Sequence, residues 1–269
     1  MEERPPIITM ITDFGSDDHY VGSMKGVILW INPSVNIVDI THNVRPHDIM
    51  EGAFILKNTY SYFPPSTVHL VVIDPEVGTA RRPIVVRTEH HYFVCPDNGI
   101  LTFVLAGESV ILAHEITAGH YRRASISPTF HGRDVFAPAA AWLSRGMNLS
   151  NFGDEIQDLK KIELPVPRIL NDGRILGQVI HIDRFGNAIL NVNLDFLHQI
   201  DMDILNRPIR IKSGNTIITE LKKTYAEGEP GKPFFLLNSS NFLEIAMNKS
   251  PAASILTLRR GSEVQIEIE

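Results

Sequence analysis

One cysteine, Cys95, is all that this 269-residue chain contains. An intramolecular disulfide and a cysteine-based metal cluster are therefore both excluded. Long apolar runs are missing as well: no stretch approaches the roughly 20 residues needed to span a bilayer as a helix. Charge of one sign never accumulates. The net charge is −6 and the pI about 6.0, so nothing marks a nucleic-acid surface or a site for anionic membranes. The leading Met1-Glu-Glu-Arg-Pro-Pro enters a strand pattern directly, without the apolar core of a signal peptide. Two phosphate-binding signatures are also absent: no Gly-x-Gly-x-x-Gly follows the first strand, and no Gly-x-x-x-x-Gly-Lys-Ser/Thr loop occurs. The expectation is a cytoplasmic globular protein with no nucleic-acid or membrane partner, whose ligand carries no pyrophosphate.

What is present is organised around residues 68–81. The β-branched run Val68-His-Leu-Val-Val-Ile stops at Asp74, a Pro75-Glu-Val-Gly turn follows, and Arg81 lies seven residues on. Such a run reads as a buried parallel strand, and Asp-Pro ends it because proline has no N–H for the ladder. Asp74 then sits at the carboxyl end of a central strand, where open α/β sheets bind their ligands. Residues 7–12 form a first strand that also ends in an aspartate, Asp13. A helix over 18–31 should bury Val21, Met24, Ile28 and Ile31. A second strand is expected over 34–40, and a helix opened by Pro46-His47-Asp48 should bury Ile49, Ala53, Leu56 and Tyr60. Short strands at 83–87 and 92–95, a Pro96-Asp-Asn-Gly turn into a short helix, and a helix over 134–144 complete an alternation that predicts a parallel α/β sheet.

Beyond a stiff Leu164-Pro-Val-Pro-Arg segment the pattern changes. Strand-like stretches at 174–182, 188–192, 209–211, 234–237, 242–246, 254–258 and 264–268 are broken by one helical candidate near 194–200. The fold class expected is an α/β domain with a mostly parallel sheet, residues 1–165, followed by an all-β barrel domain, residues 166–269.

Asp13 and Asp74 should face one crevice, and an aspartate there suits a ribose diol. With no phosphate cradle, the residues point to a nucleoside without phosphates. The competing use of Asp13, Asp17, Asp18, His19, Asp74 and His131 is a metal site. Arg81 beside Asp74 would compete with a cation for that carboxylate, and Asp-x-x-x-Asp-Asp-His also describes a solvated helix start. No metal and no cofactor are expected.

Six motifs occur together and in order: Thr12-Asp-Phe-Gly, Asp74-Pro-x-Val-Gly-Thr-x-Arg81, Pro96-Asp-Asn-Gly, Thr129-Phe-His-Gly-Arg-Asp, Asp183-Arg-Phe-Gly-Asn and Asn238-Ser-Ser. Through them essentially the whole chain resembles the S-adenosylmethionine hydroxide adenosyltransferases (S-adenosylmethionine hydrolases), whose relatives include fluorinating and chlorinating adenosyltransferases. The resemblance implies that Asp13 holds the ribose hydroxyls and Asp17 the methionine amino group. It implies that Asp74, Arg81 and His131 position and activate water. Asn187 then lies near the adenine, Asp183 and Ser239 near the methionine, and Tyr225 against the adenine ring. It further implies a homotrimer with the site at a subunit interface. Departures bear on specificity. Asp74 stands where the halogenating relatives carry tyrosine, His47 where they carry tryptophan over the ribose, and Ser240 where the fluorinating branch has arginine. The extra loop of that branch is absent between Arg87 and Tyr92.

The chemistry explains these residue types. A sulfonium substrate expels methionine as a neutral thioether, so departure needs no general acid, and the protein must supply a nucleophile in line with C5′–S. Water needs a base or a field that favours hydroxide. Arg81 is expected to pair with Asp74, and His131 either accepts the water's proton or orients hydroxide. The expected activity is hydrolysis of S-adenosylmethionine to adenosine and methionine. A halide adenosyltransferase on the same scaffold, a non-catalytic S-adenosylmethionine sensor and a metal-dependent phosphoesterase are the rivals.

Overall fold

The computed structural model describes residues 5–269; residues 1–4, examined above for a signal pattern, lie outside the described residues. The chain divides into two compact units, one ending at Ile162 and one starting at Glu163.

The first unit runs β1 (Ile7–Thr12), α1 (Tyr20–Ile31), β2 (Asn36–Thr41), α2 (Ile49–Lys57), β3 (Val68–Val72), β4 (Pro83–Thr88), β5 (Tyr92–Pro96), α3 (Thr102–Leu105), β6 (Val110–Glu115) and α4 (Ala137–Ser144). Its six strands are ordered β2-β1-β3-β5-β4-β6. The first four are parallel neighbours, whereas β4 is antiparallel to both β5 and β6. Only three residues join β4 to β5, too few for the crossover a parallel pair requires. The sheet is thus mostly parallel, with an antiparallel edge. Strand β3 is buried along its whole length. Val68, Leu70 and Val72 pack on the α1/α4 side, and Val71 and Ile73 on the α2/α3 side. Helix α1 buries Val21, Met24 and Ile28 as its period predicts. Helix α2 starts at Asp48, whose carboxylate accepts the Glu51 N–H at 3.0 Å. Strand β6, which the sequence reading did not anticipate, closes the far edge.

The second unit runs β7 (Arg168–Ile169), β8 (Ile175–Ile182), β9 (Ala188–Asn193), α5 (Leu194–Ile200), β10 (Ile209–Ser213), β11 (Thr216–Ile218), β12 (Pro233–Leu237), β13 (Phe242–Met247), α6 (Ala252–Ile255) and β14 (Glu263–Ile268). All pairings between these strands are antiparallel, in the order β11-β10-β14-β8-β9-β13-β12, with β7 on β8, and a parallel bridge joins Leu221 to Phe235. The segment after β11 turns back to β12: Phe235 donates its N–H to Glu220 O and accepts from Lys222 N, both at 2.9 Å. A nearly closed barrel results, its core built on Ile175, Leu190, Ile211, Phe235, Ile245 and Ile266.

One expected strand is overturned. Residues 254–258 do not pair; Ala252–Ile255 form α6 instead. Pro251 precedes it with φ at −76°, Ala252 and Ala253 favour helix, and the Ala253 N–H is taken by Gly186 O at 2.8 Å. Leu258 still enters the barrel core, so its apolar pattern reflects burial rather than strand. Among the described residues no helix is long and apolar enough to cross a membrane.

Candidate active site

The first unit places its site on the carboxyl ends of β1 and β3. Asn98 holds the end of β3 by donating Nδ2–H to the carbonyl of Ile73, at 2.8 Å. Asp74 follows, and a tight turn reverses the chain: Val77 N–H reaches Asp74 O, and Thr79 N–H reaches Glu76 O. Gly78 makes that turn possible in two ways. Its φ of +79° lies in the left-handed region, and a side chain there would collide with the Pro128 carbonyl. The turn thereby packs against the segment that leads to His131.

Arg81 ties the group together. Its Nε donates to both carboxylate oxygens of Asp74, at 2.9 and 3.0 Å, and Nη2 donates to Oδ2 as well. The same Nη2 lies 2.7 Å from His131 Nδ1. The guanidinium stacks on the Phe136 ring at 5.0 Å. The Arg81 and Asp74 side chains are only 1 % and 5 % exposed, so this is an interior ion pair. Arginine has no acceptor, so the Nδ1 lone pair of His131 must receive the bond. A neutral His131 then carries its proton on Nε2. Burial first, and the Arg81 charge second, push the His131 pKa below its ordinary value and favour that neutral ring. Arg81 Nη1 is buried with no hydrogen-bond partner. Among the described residues two N–H donors of the cluster thus have no partner: Arg81 Nη1, inside the protein, and His131 Nε2.

His131 lies at the entry to a π-helical turn, Gly132–Phe136, that runs directly into α4. At Gly132 a Cβ would come within 3.1 Å of Met24 Sδ and 3.3 Å of the Phe14 and Phe130 rings. Buried Asp134 fixes the approach to His131 by accepting the Ser127 N–H at 2.8 Å and two bonds from Arg133. Its burial alone would raise its pKa; those partners outweigh it and bring the value below the ordinary one.

Asp13 ends β1, and its Oδ2 accepts the backbone N–H of His47 at 2.8 Å. His47 adopts φ +67°, unusual for a non-glycine residue. Burial raises the Asp13 pKa most; the contacts with His47 oppose this, and the charge of Asp74 adds to it. Asp13 and Asp74 are thus neighbours, as their strand-end positions predict. Asp17 is exposed; it accepts a 3.4 Å bond from Ser16 Oγ and none from Asp13 or the Arg81 cluster. The Cys95 thiol is fully buried, and burial followed by the Asp97 charge pushes its pKa well up, so it is no nucleophile.

In the second unit Asp183, Asn187 and Tyr225 line one cavity of about 580 Å³, together with Phe185, Met247 and Pro251. Asp183 shapes the turn: Oδ1 accepts the N–H of Phe185 and of Asn187, and Oδ2 accepts Asn187 Nδ2–H at 3.1 Å. Gly186, at φ +84°, lets the turn meet Pro251, where a Cβ would stand 2.6 Å from the proline Cβ. Tyr225 donates its hydroxyl to Glu244 Oε1 at 2.8 Å. Ser239 is exposed and does not line the cavity; it sits on a turn that Asn238 organises by accepting the N–H of Ser240 and Phe242. The sequence reading missed Phe185, Pro251 and Glu244. Phe185 lay inside a quoted motif, and its 78 % exposure is unusual for phenylalanine. Among the described residues no group of three or more His, Cys, Asp or Glu side chains is arranged to hold a metal ion.

An α/β unit with an arginine-centred carboxylate–histidine cluster at the carboxyl ends of its central strands, joined to a barrel with a ring- and amide-lined cavity, defines the class. The chain belongs to the SAM hydroxide adenosyltransferase family: the N-terminal domain of that family matches residues 8–153 and the C-terminal domain residues 177–265. It is 39% identical over 267 residues to a Methanocaldococcus jannaschii protein named (R)-S-adenosyl-L-methionine hydrolase, covering 97% of this chain and 95% of that one. It is 28% identical over 289 residues to a fluorinase of an Actinoplanes species, covering 97% of each. A crystal structure of an uncharacterized conserved protein from Thermotoga maritima superposes with a TM-score of 0.89 at 37% identity, over 96% of this chain and 99% of that one.

Proposed function

We propose that this protein hydrolyses S-adenosylmethionine to adenosine and methionine, with Asp74, Arg81 and His131 as the water-activating group. The observation that carries the reading is the buried Arg81 that joins Asp74 to His131 beside the ribose-side candidate Asp13. Membership of the family and the names of its relatives support it. Water oxygen attacks C5′, the C5′–S bond breaks, and its electron pair goes to sulfur. Sulfonium charge is lost, methionine departs as a neutral thioether, and the proton of the attacking water passes to bulk solvent. His131 Nε2–H holds that oxygen, and the Arg81 charge behind it favours the hydroxide form; neutral His131 donates rather than serving as base, because Arg81 already occupies its one lone pair. Asp74 keeps Arg81 in place.

Asp13 receives the ribose, and the cavity of Asn187 and Tyr225 receives the adenine end, with Asp183, Asp17 and Ser239 on the methionine side. The chain works as a homotrimer in which neighbouring subunits complete each site, in the cytoplasm, without metal or cofactor. The names of the relatives specify the (R) sulfonium epimer, and we assign that epimer as the preferred substrate here. The test is incubation with a mixture of both epimers, without added metal, followed by chromatography. Equal amounts of adenosine and methionine should appear while the (R) form disappears first. S-adenosylhomocysteine as product would overturn the reading. Asp74 places a carboxylate where halide would have to approach, so molar chloride should yield no 5′-chloro-5′-deoxyadenosine.

A further inference from the structure

Behind the second unit's cavity lies a charged group that the proposed reaction does not use. Glu244, in the middle of β13, is 2 % exposed. Burying a carboxylate inside a barrel wall is costly unless its oxygens are satisfied. Here both are, by partners that belong to different walls of the same region. Oε1 accepts the Tyr225 hydroxyl at 2.8 Å, and Oε2 accepts Asn238 Nδ2–H at 3.1 Å. Tyr225 stands on a single turn of helix, Tyr225–Glu227, so its own backbone anchors it weakly. Asn238 spends its other end on the turn that carries Ser239, accepting the N–H of Ser240 at 3.0 Å and of Phe242 at 3.1 Å. That turn contains Asn241 at φ +62°.

We infer that Glu244 is a positioning residue for substrate, one carboxylate that fixes both the Tyr225 ring and the Asn238–Phe242 turn. The inference rests on the proposed assignment of this cavity to S-adenosylmethionine. A charge-assisted hydrogen bond is short and directional, and stronger than a neutral one. Tyr225 is half exposed at 47 %, so without Glu244 its ring is free to swing out of the cavity wall. Glutamine at position 244 could still meet both partners, because the Tyr225 hydroxyl accepts as well as donates; methionine keeps the length of the side chain and removes both tethers. Glu244 touches neither C5′ nor water in this scheme. Its loss should appear in substrate binding and leave the chemical step alone.

The experiment compares the unmodified chain with Glu244→Met, Tyr225→Phe and the double variant in steady-state hydrolysis of S-adenosylmethionine, with thermal melting of each. Tyr225→Phe removes one oxygen and keeps the ring, so folding is not at stake in it. The expected result is a KM raised about tenfold or more in each single variant, kcat within about twofold of the parent, and a double variant no worse than Glu244→Met, since Tyr225→Phe then removes a bond already lost. An unmodified chain that releases no adenosine would overturn the proposed activity, and this role with it. An active unmodified chain whose Tyr225→Phe variant keeps its KM, or whose two substitutions add, would overturn the role of Glu244 alone.

Discussion

The two units hold their functional groups by opposite means. In the first, charged side chains are buried and locked to one another: Arg81 and Asp74 are almost inaccessible, and Arg81 reaches on to His131. In the second, the cavity wall is built from turns: Phe185 and Asn187 flank Gly186, held in a left-handed conformation, and Tyr225 stands on a single turn of helix. An interior ion network suits groups that must meet a developing charge without reorganising. Turns that present rings and amides suit recognition of a flat heterocycle. Substitutions in the first unit should therefore act on kcat, and those in the second on KM.

The largest effect is expected at Arg81. Arg81→Ala removes the charge proposed to favour hydroxide and leaves Asp74 buried without its partner, so kcat should fall about 10³-fold and stability by about 3–5 kcal/mol. Single-turnover rates and denaturant titrations would measure both. A variant that unfolds as easily as predicted but turns over normally would break the assignment of chemistry to this unit.

His131 sharpens the comparison further. If it donates through Nε2 while accepting from Arg81, then glutamine can mimic both bonds, whereas alanine mimics neither. His131→Gln should retain about tenfold more activity than His131→Ala, which should lose about 10²-fold or more. A general base would leave both equally inactive. The pH–rate profile gives the same information. The pKa of His131 is lowered by burial and by Arg81, so its neutral form persists below the ordinary value of 6.5. No inflection due to His131 should appear at 6.5; it should lie lower, where protonation of Nδ1 would turn its N–H against Arg81.

Two glycines set the units against each other with the same substitution. Gly78→Ala forces the Asp74–Arg81 turn away from Pro128, and kcat should drop about tenfold with KM little changed. Gly186→Ala pushes the Asp183–Asn187 turn from Pro251, and KM should rise about tenfold with kcat little changed. Initial-rate kinetics on both would show whether the division holds; matching effects on kcat would erase it.

The smallest expected effect is on stability. His69 is wholly buried against Thr9, and burial followed by the nearby His91 lowers its pKa to about 3. The folded value lies below the ordinary one, so the stability contributed by neutral His69 is complete above pH 6.5 and is lost progressively as pH falls toward 3. The slope is about 1.4 kcal/mol per pH unit for one such proton. Urea midpoints between pH 7 and 5 should shift accordingly. His69→Gln, which keeps a bond to Thr9, should flatten the slope by about one proton, and an unchanged slope would remove His69 as its source.

Much of this site was legible because local rules and the fold agreed. A β-branched run ended by Asp-Pro put Asp74 at a strand's carboxyl end, and Arg81 seven residues on was close enough to pair with it. Residues whose placement depends on distant partners were not legible. The antiparallel β4 and the unforeseen β6 depend on which edge the chain chose. The π-helical turn after His131 depends on Met24, Phe14 and Phe130 closing on Gly132. The apolar run at 254–258 imitated a strand, but its first two residues end α6 and Leu258 reaches the barrel core beyond that helix. Glu244 looked like one charge in an alternating strand, and only the Tyr225 and Asn238 bonds reveal its place.

The most direct test of water attack at C5′ is hydrolysis in H₂¹⁸O, followed by mass spectrometry of both products. Adenosine should carry one ¹⁸O at its 5′ position and methionine none. Unlabelled adenosine, or 5′-methylthioadenosine in its place, would contradict a mechanism in which the Arg81 cluster delivers water to the C5′–S bond.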